Sequence, residues 1–257
     1  TLFMDMTLNN DQLMIQQLAQ KFAQTELQAV ADKIEQEDGR EIYLANLKKL
    51  AELGCMGLNI HSQYGGTEAG TVGFSLAITE IAKACSSTAV TMSVNNMVAE
   101  VIQAVASSEQ KEKYLPKLCN GEYSAGCFCL TETEAGSDPS NMKTTATLDG
   151  DEWVLNGSKH YITSAEYAGV FIVWARTGSK DDESLAGGKG ISCFLVEQGT
   201  AGLSVSTAEN KMGQIASATN EVVFNNCRIA KDSLMGELNQ GFKVERRLHQ
   251  RKRSTVF

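Results

Sequence analysis

Apolar positions through the first 122 residues recur at helical spacing. Met14, Leu18 and Phe22 repeat every four residues behind Asn9 and Gln12, a pair spaced as in a capping box. Leu44, Leu47, Leu50 and Leu53 mark a second helix that stops at Gly54, and Gln63-Tyr64-Gly65-Gly66 reads as a loop. A third helix is predicted over 72–84 and a fourth over 88–106, capped by Ser86 or Ser87. A fifth opens at Ser107 or Ser108 and closes near Leu118. These elements define an all-helical domain over residues 1–122.

From about Tyr123 the period shortens to two. Trp153-Val154-Leu155 and residues 159–163 flank Asn156-Gly157, the strongest short hairpin signal in the chain, and Asp149-Gly150 marks another turn. Residues 170–174 and 191–196 are continuous apolar runs of strand length. Glu221-Val222-Val223-Phe224 ends at Asn225-Asn226, a further turn signal. No helix of useful length is expected over 123–230, so residues 123–235 should form an antiparallel β-barrel or sandwich. The acidic, then glycine-containing stretch 179–189 reads as a surface connection. The fold class is therefore α+β, with residues 236–257 as a separate short ending.

Composition narrows the function. With 42% hydrophobic and 21% charged residues in 257, the chain is globular and long enough for two cores. No apolar run approaches the ~20 residues of a membrane span, and residues 1–10 lack the features of a secretion signal or transit peptide. Seven scattered cysteines without a CxxC pair suit reduced intracellular thiols, and a strand would place Cys127 and Cys129 on one face. With only three histidines, no metal site is expected. Of the 23 basic residues, Lys243, Arg246, Arg247, Arg251, Lys252 and Arg253 crowd the ending beside one acid, Glu245. The rest is strongly acidic, which argues against a nucleic-acid partner. The basic ending reads either as a nucleic-acid or membrane arm or, as favoured here, as a broken chain end.

Two segments could carry chemistry. Leu130-Thr131-Glu132-Thr133-Glu134-Ala135-Gly136-Ser137-Asp138 combines hydroxyls, acids and a glycine after an alternating strand. Such a loop can offer N–H groups and hydroxyls to a phosphate or heteroaromatic edge, although from composition alone the plainer reading, a polar turn after a strand, is favoured. His160-Tyr161-Ile162-Thr163-Ser164 places an aromatic beside hydroxyls, suited to a planar ring or to ordinary half-buried packing. No GxGxxG, P-loop, HExxH or GxSxG motif occurs, which weakens Rossmann and simple hydrolase readings.

These segments, in this order, resemble the acyl-CoA dehydrogenase family, short- or branched-chain (isobutyryl-like) members in particular. Phe128-Cys129-Leu130-Thr131-Glu132 with Ala135-Gly136-Ser137-Asp138 resembles its first flavin-binding stretch. Asn156-Gly157-Ser158-Lys159 with Ile162-Thr163 resembles its second. Lys189-Gly190-Ile191-Ser192, then Lys211-Met212-Gly213 with Ser217 and Thr219, then Gly236 and Gly241-Phe242, resemble its later segments. The resemblance implies that FAD contacts Phe128, Cys129, Leu130, Thr131, Gly136, Ser137, Tyr161, Ile162 and Thr163. It implies Thr163 near flavin N5, Tyr161 over the ring where the family usually has Trp, and Ser137 near the pyrophosphate and the acyl-pantetheine arm. Three departures stand out: Thr133-Glu134 where Pro-Gly is common, Gln214-Ile215-Ala216 in place of a stretch ending in Gly, and Ser164 in place of Asn.

The implied reaction is α,β-dehydrogenation of a short or branched acyl-CoA to an enoyl-CoA, with electrons passed to an electron-transfer flavoprotein. A homo-oligomer, no membrane or nucleic-acid partner, and a bacterial cytoplasmic or mitochondrial matrix setting belong to the same expectation. The family's glutamate base comes from a C-terminal helical domain, expected to be missing here, so no catalytic residue is expected in this chain. Glu132 and Glu134 are not expected to replace it. Related readings are an acyl-CoA oxidase or flavin monooxygenase relative, and a non-catalytic flavin- or CoA-binding module.

Overall fold

The computed structural model describes residues 7–178 and 182–243. Helix α1 (Asn10–Phe22) begins with the expected reciprocal cap, Gln12 N donating to Asn9 Oδ1 at 2.9 Å and Asn9 N to Gln12 Oε1 at 3.0 Å. Its buried row differs from the expected one. Ala19 and Phe22 enter the core with Ile15 beside them, while Met14 is 62% exposed and Leu18 40%. The contact with α4 decides this, because Gly73 of that helix admits the Ile15 side chain. After α2 (Ala31–Ile34), α3 (Arg40–Glu52) buries Tyr43, Leu47 and Leu50 and ends before Gly54, whose φ of +75° favours glycine.

Helix α4 (Gly70–Ala84) leads into α5 (Ser86–Val105) and α6 (Ser108–Cys119). The α5 cap is Cys85, whose Sγ accepts from Thr88 N, not Ser86 or Ser87 as expected; Ser107 caps α6 with Gln110. Buried asparagines of α5 organise their surroundings. Asn96 Oδ1 takes the Leu58 N–H at 2.7 Å, and Asn95 Oδ1 takes the Gly126 N–H at 3.0 Å, fixing the start of the first strand against the helix.

The strands are β1 (Gly126–Cys129), β2 (Thr145–Asp149), β3 (Glu152–Thr163), β4 (Val170–Arg176), β5 (Ile191–Glu197), β6 (Leu203–Val205) and β7 (Thr219–Ala230). They form one sheet in the order β1-β4-β2-β3-β7-β6, with β5 also paired to β4. The sheet is mixed, not purely antiparallel as expected, because β1 runs parallel to β4. Parallel neighbours need a long crossover, and here residues 130–169 supply it.

Strand β4 is buried at all seven positions. Val170, Ile172 and Trp174 join the α5–α6 core with Val98, Ile102 and Leu118. Phe171, Val173 and Ala175 join Cys127, Cys129, Leu155 and Phe224 inside the β-domain. Burial on both faces explains the continuous apolar run, and each of its Val, Ile and Phe side chains stabilises the fold by roughly 1.5–3 kcal/mol.

Asn156-Gly157 is not a hairpin. β3 runs through it and pairs with β7 along its length, with a register shift between Leu155 and Gly157. Asn225-Asn226 likewise lies within β7, where it supplies the extra residue of the bulge, Asn226 standing at φ +49°. Asp149-Gly150 is the true β2–β3 turn. Stretch 179–189 holds two short 3-10 turns, and Gly187 O accepts from Arg176 NH1 at 3.1 Å. Part of that stretch, and the basic ending from Val244 to Phe257, lie outside the described residues.

Candidate functional site

The ends of β1 and β3 meet where the two candidate segments were expected. His160 N donates to Thr131 O at 2.9 Å, and Cys127 Sγ donates to Thr163 O at 3.0 Å. A second bulge turns the end of β3. Lys159 pairs with Val222 but Ile162 with Asn220, so β3 holds one residue more than β7 over this interval. Both Lys159 and Ile162 therefore point inward, and Tyr161, at φ +58°, is turned out to 69% exposure. Ser164 follows at φ +69°, fully buried.

The nine candidate residues divide by burial. Tyr161, Gly136 and Ser137 are exposed, and Leu130, Thr131 and Thr163 are half-buried. Phe128 is half-buried, its ring centroid 4.4 Å from that of Trp174. Cys129 and Ile162 turn their side chains into the β-domain core, so only their backbone is available to a ligand. A Cβ placed on Gly136 would meet open space. Among the described residues, no group of three or more His, Cys, Asp or Glu converges as a metal site.

The loop itself is tightly closed. Glu132 and Ala135 exchange backbone hydrogen bonds of 3.2 and 3.1 Å around Thr133-Glu134. Neither tip residue takes a positive φ, so the turn closes here without the Pro-Gly pair common in the resembled family. Asp138 accepts from Ser140 N and Oγ and from Asn141 Nδ2, capping the short 3-10 turn over Pro139–Asn141.

Beneath the loop lies a pair that the sequence reading did not single out. Lys159, fully buried, donates to Glu132 Oε1 at 2.8 Å and to Leu130 O at 3.1 Å. Glu132 also accepts from Lys143 N at 2.6 Å and Thr144 N at 3.0 Å. Burial opposes ionisation of Glu132, but the Lys159 ammonium and these donors outweigh it and hold the carboxyl below its ordinary value. Desolvation pulls Lys159 down against the Glu132 charge. The available signal was a lysine at an inward position of a strand, with an acid in the facing loop. Glu134 pairs with Lys143. Both loop acids are thus engaged as ion-pair partners.

The two segments thus present one exposed aromatic, Tyr161, with the Thr131, Ser137 and Thr163 hydroxyls, and the Lys159–Glu132 ion pair lies buried beneath the first of them. That donor set fits the edge of a heteroaromatic ring better than a metal ion or a lone phosphate. The chain belongs to the acyl-CoA dehydrogenase family: the family's N-terminal domain matches residues 9–122 and its middle domain residues 127–227. It is 40% identical over 244 residues to an acryloyl-CoA reductase (NADH) of Anaerotignum propionicum, covering 94% of this chain and 60% of that protein. It is 38% identical to the mitochondrial short-chain specific acyl-CoA dehydrogenase of Sus scrofa, covering 95% of this chain and 57% of that one. Among solved structures, an acyl-CoA dehydrogenase of Bacillus anthracis complexed with FAD superposes with a TM-score of 0.86 at 30% identity, over 96% of this chain and 41% of that one. A structure described as the electron transferring flavoprotein of Acidaminococcus fermentans superposes with a TM-score of 0.87 at 34% identity, over 95% and 63%. The chain spans about 60% of the length of the curated relatives it matches.

Proposed function

We propose that this chain forms the flavin- and acyl-CoA-binding face of an FAD-dependent oxidoreductase acting between acyl-CoA and 2-enoyl-CoA thioesters of short or branched chain. The observation that carries this reading is the rim made by Leu130, Thr131, Tyr161 and Thr163, joined through the His160–Thr131 hydrogen bond of 2.9 Å. Bound there, FAD supplies a two-electron acceptor for the hydride released from the substrate β-carbon. Tyr161 offers its ring to one face of the isoalloxazine, and the Thr131 and Thr163 hydroxyls hydrogen-bond its edge. Phe128, Cys129 and Ile162 support that surface from below. Gly136 leaves room for backbone approach to the pyrophosphate, and Ser137 beside it serves the pyrophosphate and the pantetheine arm.

The loop acids do not act as the base. Glu132 is held by Lys159, Lys143 N and Thr144 N, and Glu134 by Lys143. An electron-transfer flavoprotein as partner, a homo-oligomeric state and a bacterial cytoplasmic or mitochondrial matrix setting complete the reading, supported by the relatives named above. The 40% identity to an acryloyl-CoA reductase favours a second reading, the same chemistry run toward the saturated thioester.

The test is an anaerobic absorbance spectrum of the purified chain with FAD, then with a short acyl-CoA, then, after photoreduction, with the enoyl-CoA. A protein-bound flavin band is the expected result, and its absence refutes the reading. Bleaching by acyl-CoA would show that a base is present in the chain. Reoxidation by enoyl-CoA without bleaching by acyl-CoA would favour the reductive direction.

A further inference from the structure

Lys159 is the most deeply buried cation of the described residues, at 0% exposure against 6% for Arg176, and the proposed chemistry does not use it. Its Nζ lies 3.1 Å from Leu130 O and 2.8 Å from Glu132 Oε1. The carbonyl of Leu130 is therefore aimed inward, at a charge fixed inside the β-domain. A trans peptide is planar, with its C=O and N–H opposed. The Thr131 N–H must then point away from Lys159. The next peptide is held the same way, since Thr131 O accepts from His160 N at 2.9 Å and Glu132 N donates to Ala135 O at 3.2 Å. The Leu130–Thr131 peptide is thus tied to the Lys159 ammonium on one side and to these backbone bonds on the other.

A neutral hydroxyl or amide could also bond a carbonyl, so the charge calls for its own account. Glu132 supplies it. Its carboxylate closes the loop through Lys143 N and Thr144 N and needs a buried counter-charge. One lysine satisfies that carboxylate and also orients the neighbouring carbonyl, so closure of the loop and aim of the Thr131 N–H are set together.

We propose that Lys159 is a positioning residue for the flavin: through Leu130 O it aims the Thr131 N–H at the pyrimidine edge of the isoalloxazine. The inference rests on the FAD reading above. It makes no contact between Lys159 and the cofactor, because the side chain is fully buried below the rim.

The experiment compares wild type, Lys159→Met and the double variant Lys159→Met/Glu132→Gln in the full chain, each titrated with FAD. Thermal stability, flavin absorbance maximum and midpoint potential are recorded for each. Lys159→Met alone leaves a buried carboxylate without its counter-charge and is expected to lose stability. The double variant removes both charges while keeping their shapes, and is expected to recover most of that stability. It is nevertheless expected to bind FAD at least tenfold more weakly than wild type, with a shifted absorbance maximum and potential. Wild-type affinity, spectrum and potential in the double variant would overturn the proposal and leave the pair a purely structural one. Failure of wild type itself to bind FAD would overturn the underlying reading and this inference with it, a result separable by reading wild type first.

Discussion

Thr91 Oγ1 lies 3.2 Å from Ser164 Oγ, a contact between the helical domain and the residue that follows Thr163. Thr91 is the centre of a buried hydroxyl cluster. Tyr43 OH approaches it at 2.7 Å, Tyr167 OH at 3.2 Å and Ser217 Oγ at 3.3 Å. Ser164 holds φ +69°, a conformation that serine adopts less readily than asparagine or glycine. The cluster, built from Thr91 and Tyr43 of the helical domain and Tyr167 and Ser217 of the β-domain, holds Ser164 in that conformation. Tyr43 OH also donates to Ser87 O at 3.0 Å, so Thr91→Val should destabilise the protein by about 1–3 kcal/mol chiefly through the hydrogen bonds lost by Ser164, Tyr167 and Ser217. Urea unfolding of the two proteins checks it, and equal midpoints would refute the role of the cluster.

Tyr161 carries no comparable structural duty, being 69% exposed. Tyr161→Ala should leave stability within about 0.5 kcal/mol of wild type. It should weaken FAD binding roughly tenfold, because the stacking surface is lost. Paired thermal melts and flavin titrations separate the two effects.

Gly157 stands at φ +142°, and a Cβ there would meet Thr144 Cα at 2.6 Å and Thr144 Oγ1 at 2.5 Å. Backbone cannot yield as a side-chain tip can. Gly157→Ala should cost at least about 2 kcal/mol, read as a lowered denaturant midpoint. Gly136→Ala is the control, expected to be stable because its Cβ would meet nothing within 4 Å.

Acid should act through Glu132. Its carboxyl is held below the ordinary value in the folded chain: burial opposes ionisation, but the Lys159 charge and the Lys143 and Thr144 amides prevail. The stabilisation is then fully present above the unfolded value, about 4.3, and is lost as pH falls through the folded one. Wild type should lose stability steeply below about pH 4, whereas Glu132→Gln should show a shallower acid limb from a lower plateau. Urea midpoints measured across that range decide it; parallel limbs would sink the assignment.

Much of the helical domain was legible in the chain. The Asn9–Gln12 cap, a helix start at Ser107 or Ser108, the Leu47–Leu50 row and the stop at Gly54 are local signals, decided by bonds within four residues. The exposed Met14 and Leu18 were misread, because periodicity marks a stripe but not which edge of it finds a partner. The β-domain shows the same limit at larger scale. Asn156-Gly157 and Asn225-Asn226 carry turn chemistry, yet each sits inside a twelve-residue strand, where Asn226 N donates to Asn156 Oδ1 at 2.8 Å. Residues that tolerate unusual φ serve bulges as well as turns, and only pairing between distant strands selects one.

The candidate site divides likewise. The order of hydroxyls, glycine and aromatic along 128–138 and 160–164 is a property of the sequence and sufficed to suggest a planar cofactor. Tertiary structure decided which of them face outward. One extra residue in β3 turns Tyr161 out and keeps Ile162 in, and the core claims Cys129. It also decided that Lys159 and Glu132, 27 residues apart, meet below the rim. A buried pair of that kind forms only when two distant segments close over it and exclude water, so its members look like ordinary surface charges until the fold is complete.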